Sequence, residues 1–349
     1  MIHNPTRLSP SIQDKFMPDL LPLGKLPPDL LAHLLGKYPI DDPRVVIGPR
    51  PGEDAAVIDV GQSYLVAKTD PITFATDEIG WYAVNVNAND IATTGGMPAW
   101  FMATLLLPSD DTTPQLVETI FDQMRHACEV LNVSLIGGHT EITYGIDRPI
   151  INGVMLGLVE KERLITTGGA QPGDSVLVTK GVPIEATAII ARECASRLKG
   201  MFADEFITRC AGYLHNPGIS VVKDAQIAIG AGRVHSMHDP TEGGLATGLW
   251  ELAETSRRRL HVQPEMAVIE ECTALCRAVN LDPLGAIASG ALLLTAPSKD
   301  AGIIISALQS EGIAAFEIGH VEEGAPEVVN PMAEVIERPA RDEIAKLFE

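Results

Sequence analysis

Acidic residues recur in this sequence beside glycines and at the ends of apolar runs. Glu53 and Asp54 stand between the loop "GPRPG" and the run "AAVID"; Asp70 closes "SYLVAKTD"; Asp90 follows Asn89 in "NVNANDIA". Gly137 and Gly138 lead into His139 and Glu141 in "IGGHTEIT", and Asp239 and Thr241 precede Gly243 and Gly244 in "HDPTEGGLATG". Taken singly, each has an ordinary explanation. Asp54 can end a turn, Asp70 can cap the turn at Pro71, Asp90 can lie on a wet helix face, and His139 reads as a packed or solvated histidine. Taken together, carboxylates at the ends of several elements of one domain can converge. Convergence is what Mg²⁺ requires, with oxygen ligands, waters and substrate phosphates completing its shell. Asp90 is the hardest to dismiss, because its neighbours are apolar or small and an unpaired acid there is expensive. In "HDPTEGGLATG", Thr241 suits an N-cap, Glu242 the first turn, and the glycines a close backbone approach. Free N–H groups at such a helix start bind phosphate; the plain alternative is an ordinary cap.

Elements must hold these residues in place. "LPPDLLAHLLGKY" reads as a short helix with its prolines in the first turn. "AAVIDV" and "SYLVAKTD" read as strands joined at Gly61, followed by a helix from about Asp77 to Thr94 that Gly95-Gly96-Met97-Pro98 stops. "AWFMATLLLP" is a buried strand. Leu116, Ile120, Met124, Ala127 and Leu131 recur at helical spacing, and "SLIGGHTEIT" and "PIINGVMLGLVE" are further strands. "TTGGAQPGD" is the strongest punctuation near the middle. Beyond it the pattern restarts, with a strand "SVLVTKG", helices in "IEATAIIARECASRL" and "ISVVKDAQIAIGAG", and a helix bearing Leu245, Leu249 and Leu252. A strand "GALLLTAP", a helix at 299–311 and a strand at 314–321 follow. At 349 residues the chain exceeds the size at which one core keeps growing, so two α/β domains are expected. The boundaries are an arm at 1–23, a first domain at 24–165 and a second at 174–349.

Composition narrows the partners. A net charge of −20 argues against nucleic acid. No apolar run approaches the roughly 18 residues a membrane span needs, and "MIHNPTRLSP" has no apolar core for a signal peptide. The 5 cysteines, at 128, 194, 210, 272 and 276, are odd in number and irregular in spacing, which fits reduced, buried thiols in a cytoplasm. Cys272 and Cys276 share a helical spacing that reads as packing. Walker A, GxGxxG and GxSxG patterns are absent, so P-loop, Rossmann and α/β-hydrolase readings lose ground.

In order, "GKLPPDLL", "GEDAAVID", "TDP", "VNANDIATTGGMPAW", "GGHTEIT", "PGDSVLVTKG", "HDPTEGGLA" and "ASGALLLT" resemble the superfamily of aminoimidazole ribonucleotide synthetase, selenophosphate synthetase, thiamine-monophosphate kinase and HypE, and most closely its HypE-like, AIR synthase-related members. The resemblance implies a PurM-like two-domain α/β (α+β) fold. Its first domain would form a β-barrel with a second copy in a homodimer, and its C-terminal domain would be α/β. It implies ATP bound in a cleft at the dimer interface, with Mg²⁺ between carboxylates and phosphates. Carried over by motif, Asp54, Asp70 and Asp90 are metal and phosphate-site acids, with Glu141 supplying a carboxylate where several relatives place an acid at the position of His139. Asp70, Asp90 and His139 form the implied catalytic set. Lys68, Gly137, Gly138, Asp239, Thr241, Gly243 and Gly244 are the implied nucleotide contacts. The reading is phosphoryl transfer from ATP to an oxygen or similar acceptor of a small molecule or a partner protein's group. A nucleotide-binding assembly partner without turnover is the second reading, and a true carbamoyl dehydratase the third. HypE proper carries its substrate group on a cysteine ending a mobile C-terminal tail. Here "RDEIAKLFE" has none and reads as a packed helix with Ile344, Leu347 and Phe348 on one side, so self-carbamoylation is not expected.

Overall fold

The computed structural model describes residues 21, 26–37, 39–50, 52–73 and 77–348. The arm expected at 1–23 lies outside the described residues apart from Leu21. The segment ending at Pro39 is a unit of its own and contributes one helix, α1 (Pro28–Gly36). It begins at a proline, where the missing N–H has no intrahelical carbonyl to serve.

From Ile40 onward the chain forms one unit built on two sheets of 6 strands each. The first has the order β1 (Val45–Ile47), β2 (Ala56–Asp59), β3 (Ser63–Ile72), β6 (Ile150–Glu160), β4 (Met97–Pro108) and β5 (Ser134–Thr143). Helices α2 (Ile79–Thr93) and α3 (Pro114–Leu131) cover one face. Thr113 starts α3 by accepting the Leu116 N–H, and Pro114 occupies its first turn. The sheet alternates as period two demands. Phe101, Leu105, Ile151 and Met155 point under the helices and are buried, whereas Trp100, Met102, Leu106, Val154 and Leu156 on the other face stay half-exposed. Edge strand β5, parallel to β4, is exposed along almost its whole length.

The second sheet has the order β12 (Glu327–Val329), β9 (Arg259–Val262), β11 (Ala315–Glu322), β7 (Asp174–Thr179), β10 (Leu293–Pro297) and β8 (Ser236–His238). Every residue of β7 is buried. Val176 and Val178 pack with Leu245, Leu249 and Leu252, while Leu177 packs on the opposite side with Ile304 and Leu308. Strands wet on neither side read as continuous apolar runs, which is the pattern of "SVLV" and "ALLLTA". The helices around this sheet include α4 (Ile184–Glu193), α5 (Val222–Ala231), α6 (Gly244–Ser256), α7 (Glu270–Ala278) and α8 (Ser298–Ser310). The fold is therefore two-domain α/β with mixed sheets.

Two expectations need correction. Glu343–Leu347 forms a 3₁₀ helix, not an α-helix, and although Ile344 is buried, Phe348 is exposed. A tighter helix suits so short a stretch, in which Asp342 accepts the Ile344 N–H. The helix containing Leu245 starts at Gly244, with Gly243 in the left-handed region at its cap position, so the Thr241 side chain is not the cap.

One buried acid makes stability depend on pH. Glu185 in α4 is buried, and its Oε2 has no hydrogen-bond partner. Burial pushes its carboxyl up to about 8; Ser289 pulls the other way, and Glu242 and Asp342 add to the rise. A carboxyl raised on folding stabilises below its unfolded pKa, and that contribution is lost as pH climbs through the folded value. The melting temperature should therefore fall more steeply from about pH 5 to about pH 8.5 in the wild type than in Glu185→Gln. Parallel curves from calorimetric scans would contradict this.

Candidate metal centre

All of α2 is buried although it carries three asparagines and an aspartate. Each asparagine side chain makes at least one hydrogen bond, although Asn85 Oδ1 is buried without one. Asn85 donates to the Trp81 carbonyl at 2.9 Å. Asn87 accepts the Asp70 N–H at 2.8 Å and donates to the Ala83 carbonyl. Asn89 reaches the second domain, donating to the Ile219 carbonyl and accepting the Val221 N–H, both at 2.8 Å. The helix lies close against β6 because Gly153 and Gly157 have no side chains; a Cβ at Gly157 would sit 2.3 Å from Ile91. These contacts fix Asp90 over β3, where Lys68 and Asp70 face it. The Lys68 ammonium lies 3.2 Å from Asp90 Oδ2 and 3.4 Å from Asp70 Oδ2.

Asp54 and Asp239 arrive from other elements. The loop carrying Glu53 and Asp54 folds onto α6 at Gly52, whose φ is +81° and whose added Cβ would meet Thr255 Oγ1 at 2.2 Å. Only glycine tolerates both conditions. Asp239 directly follows β8, whose last residue, His238, faces Asp54 Oδ2 with Nδ1 at 3.0 Å and Glu251 Oε2 with Nε2 at 2.9 Å. Carboxylate oxygens of Asp54, Asp90 and Asp239 all lie within 4.8 Å of one another. Oxygens opposite each other on one octahedral Mg²⁺ are about 4.1 Å apart, so side-chain shifts of roughly a few tenths of an ångström would bring the three onto a single hard cation. Asp239 Oδ2 is buried and makes no hydrogen bond, and Asp90 Oδ2, equally buried, makes none either although the Lys68 ammonium lies 3.2 Å away. Under-satisfied oxygens in an all-oxygen donor set are what such an ion would satisfy. Glu53 turns aside to Arg50 at 2.8 Å.

The electrostatics agree with the geometry. Burial raises the Asp90 carboxyl well above the ordinary range, against the pull of Lys68. Asp239 is pushed up to about 7 by burial and by Asp54, against His238 and Lys68. Burial alone would lower Lys68 and His238, but the surrounding carboxylates outweigh it and hold both above their ordinary values. The centre is short of positive charge.

His139 and Glu141 do not join this cluster within one chain. In the sheet register His139 pairs with Thr104 and Glu141 with Leu106, both on the open face opposite α2. The two are exposed and contact each other at 3.1 Å. Gly138 is needed there for a different reason, since a Cβ would collide with the Ala103 carbonyl at 2.0 Å; Gly137 has open space. At the α6 start, the Gly243 N–H is taken by Asp342 Oδ2 at 2.6 Å, so this donor of the expected phosphate cradle is already engaged by the chain. The Thr241 carbonyl accepts the Gly244 and Ala288 N–H groups. Sequence reasoning missed His238, Glu251 and Asp342. A histidine directly before Asp239 was the available signal for the first; the others depend on contacts far apart in the chain.

Comparisons with known proteins agree with this architecture. Residues 52–159 match the model of the AIR synthase related protein N-terminal domain, and residues 171–330 that of its C-terminal domain. The chain is 28% identical over 285 residues to carbamoyl dehydratase HypE of Rhizobium leguminosarum bv. viciae, covering 78% of this chain and 77% of that protein. It is 28% identical to a putative hydrogenase expression/formation protein of Methanocaldococcus jannaschii, covering 73% of this chain and 74% of that protein. It is 27% identical to selenide, water dikinase of Yersinia pestis, over 57% of this chain and 60% of the other. Among solved structures, AaThiL complexed with AMPPCP and TMP superposes with a TM-score of 0.70 at 21% identity, covering 90% of this chain and 94% of that one. HypE in complex with ATP superposes with a TM-score of 0.68 at 23% identity, covering 87% and 92%. The two matched domain models span most of the sequence and have the PurM-like fold, and the chain belongs to the AIR synthase related family.

Proposed function

We propose that the protein is an ATP- and Mg²⁺-dependent enzyme that transfers a phosphoryl group to an oxygen or similar acceptor, borne by a small molecule or a partner protein. The observation that carries this reading is the convergence of Asp54, Asp90 and Asp239 beside Lys68. Relatives solved with ATP or with AMPPCP, and one named as a dikinase, support nucleotide use by this fold. The bound cation would neutralise polyphosphate charge and orient it. Asp54, Asp90 and Asp239 would hold that ion. Lys68 keeps Asp90 and Asp70 in place and offers an ammonium next to where phosphate would lie. Phosphoryl transfer asks mainly for positioning and charge neutralisation, so the lack of a nucleophile motif is consistent with it.

Removing one carboxylate undercoordinates the ion and leaves the remaining acids facing the triphosphate. Asp90→Asn and Asp239→Asn should each weaken calorimetric binding of ATP with Mn²⁺ by more than about tenfold. Wild-type affinity in both variants would contradict the assignment.

A homodimer completes this reading. The half-exposed Trp100, Met102, Leu106, Val154 and Leu156 form an apolar sheet face, and edge strand β5 beside it carries exposed Leu135, Ile136 and Ile142. Apolar faces and open edges of this kind are normally covered. Light scattering should give twice the 37.3 kDa of one chain, and Leu156→Arg should reduce it to one chain. A monomeric wild type would remove the dimer.

A carbamoyl-carrying thiol is the alternative that HypE relatives raise. All 5 cysteines are free and buried, and burial pushes Cys128 and Cys210 up to about 11 and Cys276 to about 12. Buried, protonated thiols are poor nucleophiles. Incubation with carbamoyl phosphate, ATP and a carbamoyltransferase should leave these cysteines unmodified by intact-protein mass spectrometry. An ATP-sensitive carbamoyl adduct on any of them would restore the dehydratase reading.

A further inference from the structure

Past β12 the chain runs back over α6, beyond the stretch that matches the family's C-terminal model. Trp250 of α6 donates its indole N–H to the Ile336 carbonyl at 2.8 Å. Arg338 then spreads its guanidinium over two acids of α6, with Nη1 2.9 Å from Glu254 Oε2 and Nη2 3.4 Å from Glu251 Oε1. Glu251 uses its other oxygen, Oε2, for His238 Nε2 at 2.9 Å, and the same ring meets Asp54 Oδ2 through Nδ1 at 3.0 Å. An unbroken line of 3 contacts thus joins Arg338 to an acid of the cation cluster.

We propose that Arg338 and Glu251 are positioning residues for the cation site, holding His238 in the orientation that fixes the Asp54 carboxylate. This inference rests on the reading that the cluster binds a divalent ion. Asp54 needs such support more than its companions. Asp90 stands on a fully buried helix and Asp239 directly follows a strand, whereas Asp54 hangs on the loop between β1 and β2. The His238 ring is buried with an oxygen on each nitrogen, so it cannot turn without breaking one contact. Glu251 is likewise committed on both oxygens. A partly exposed ion pair such as Arg338–Glu254 contributes little to stability by itself. The position of Arg338 at the end of this line gives it an effect on metal affinity that a surface ion pair lacks, because partners behind metal-binding carboxylates tune affinity.

Mn²⁺ titrated by calorimetry into the full chain saturated with a non-hydrolysable ATP analogue tests this. Arg338→Ala should bind Mn²⁺ about 3- to 10-fold more weakly than wild type, below the full effect of losing an immediate partner. Arg338→Lys should recover most of the loss, and Lys346→Ala, which removes only the Glu343 ion pair of the same segment, should bind as wild type does. Should Arg338→Ala fail to fold, Arg338→Gln is held to the same expectation. Wild-type affinity in the Arg338 variant, an equal loss in Lys346→Ala, or no recovery by lysine would overturn the inference and leave the proposed function standing. No Mn²⁺ binding by the wild type would overturn both.

Discussion

Four carboxylates, those of Asp54, Asp70, Asp90 and Asp239, are drawn into one partly buried region where, among the described residues, Lys68 and His238 answer them. Mutual repulsion and lost hydration make such a gathering costly, and paired buried charges rarely do better than break even. Much of the molecule is arranged to hold it nonetheless. The asparagines of α2 tie that helix to β3 on one side and to the 219–221 loop on the other. Gly52 lets the Asp54 loop lie against α6, and Gly153 and Gly157 let α2 lie against its sheet. Both domains contribute, so the site exists only when they are docked.

The same constraint explains which side of the first sheet bears chemistry. Lys68 and Asp70 occupy alternate positions of β3 on the face that α2 covers, where charge is partly dehydrated and a cation bound to it would be held more strongly than in water. His139 and Glu141 occupy the other face, which is apolar and half-open. One face of the sheet carries the charged cluster under α2, and the other is half-open and largely apolar.

Much of this was legible in the sequence, because period and punctuation are local. The strands ending at Asp70 and the apolar setting of Asp90 could be read from neighbours a few residues away. Facing across a sheet could not. Whether His139 lies with Asp90 or opposite it depends on the register of β5 on β4, which shifts at an irregularity near Phe101 and Met102. Contacts spanning large separations were equally invisible: Gly243 meets Asp342 across 99 positions, and Asp54 meets His238 across 184. A helix start that reads as an open anion site is partly filled by a carboxylate that no local pattern announces.

In the proposed site the carboxylates of Asp54, Asp90 and Asp239 share one divalent ion. Crystals grown with Mn²⁺ and a non-hydrolysable ATP analogue, measured near the manganese absorption edge, test it directly. The expected result is an anomalous peak with oxygens of all three residues at about 2.2 Å, phosphate oxygens completing the shell. A peak on Glu141 and His139 with none between the three aspartates would contradict it.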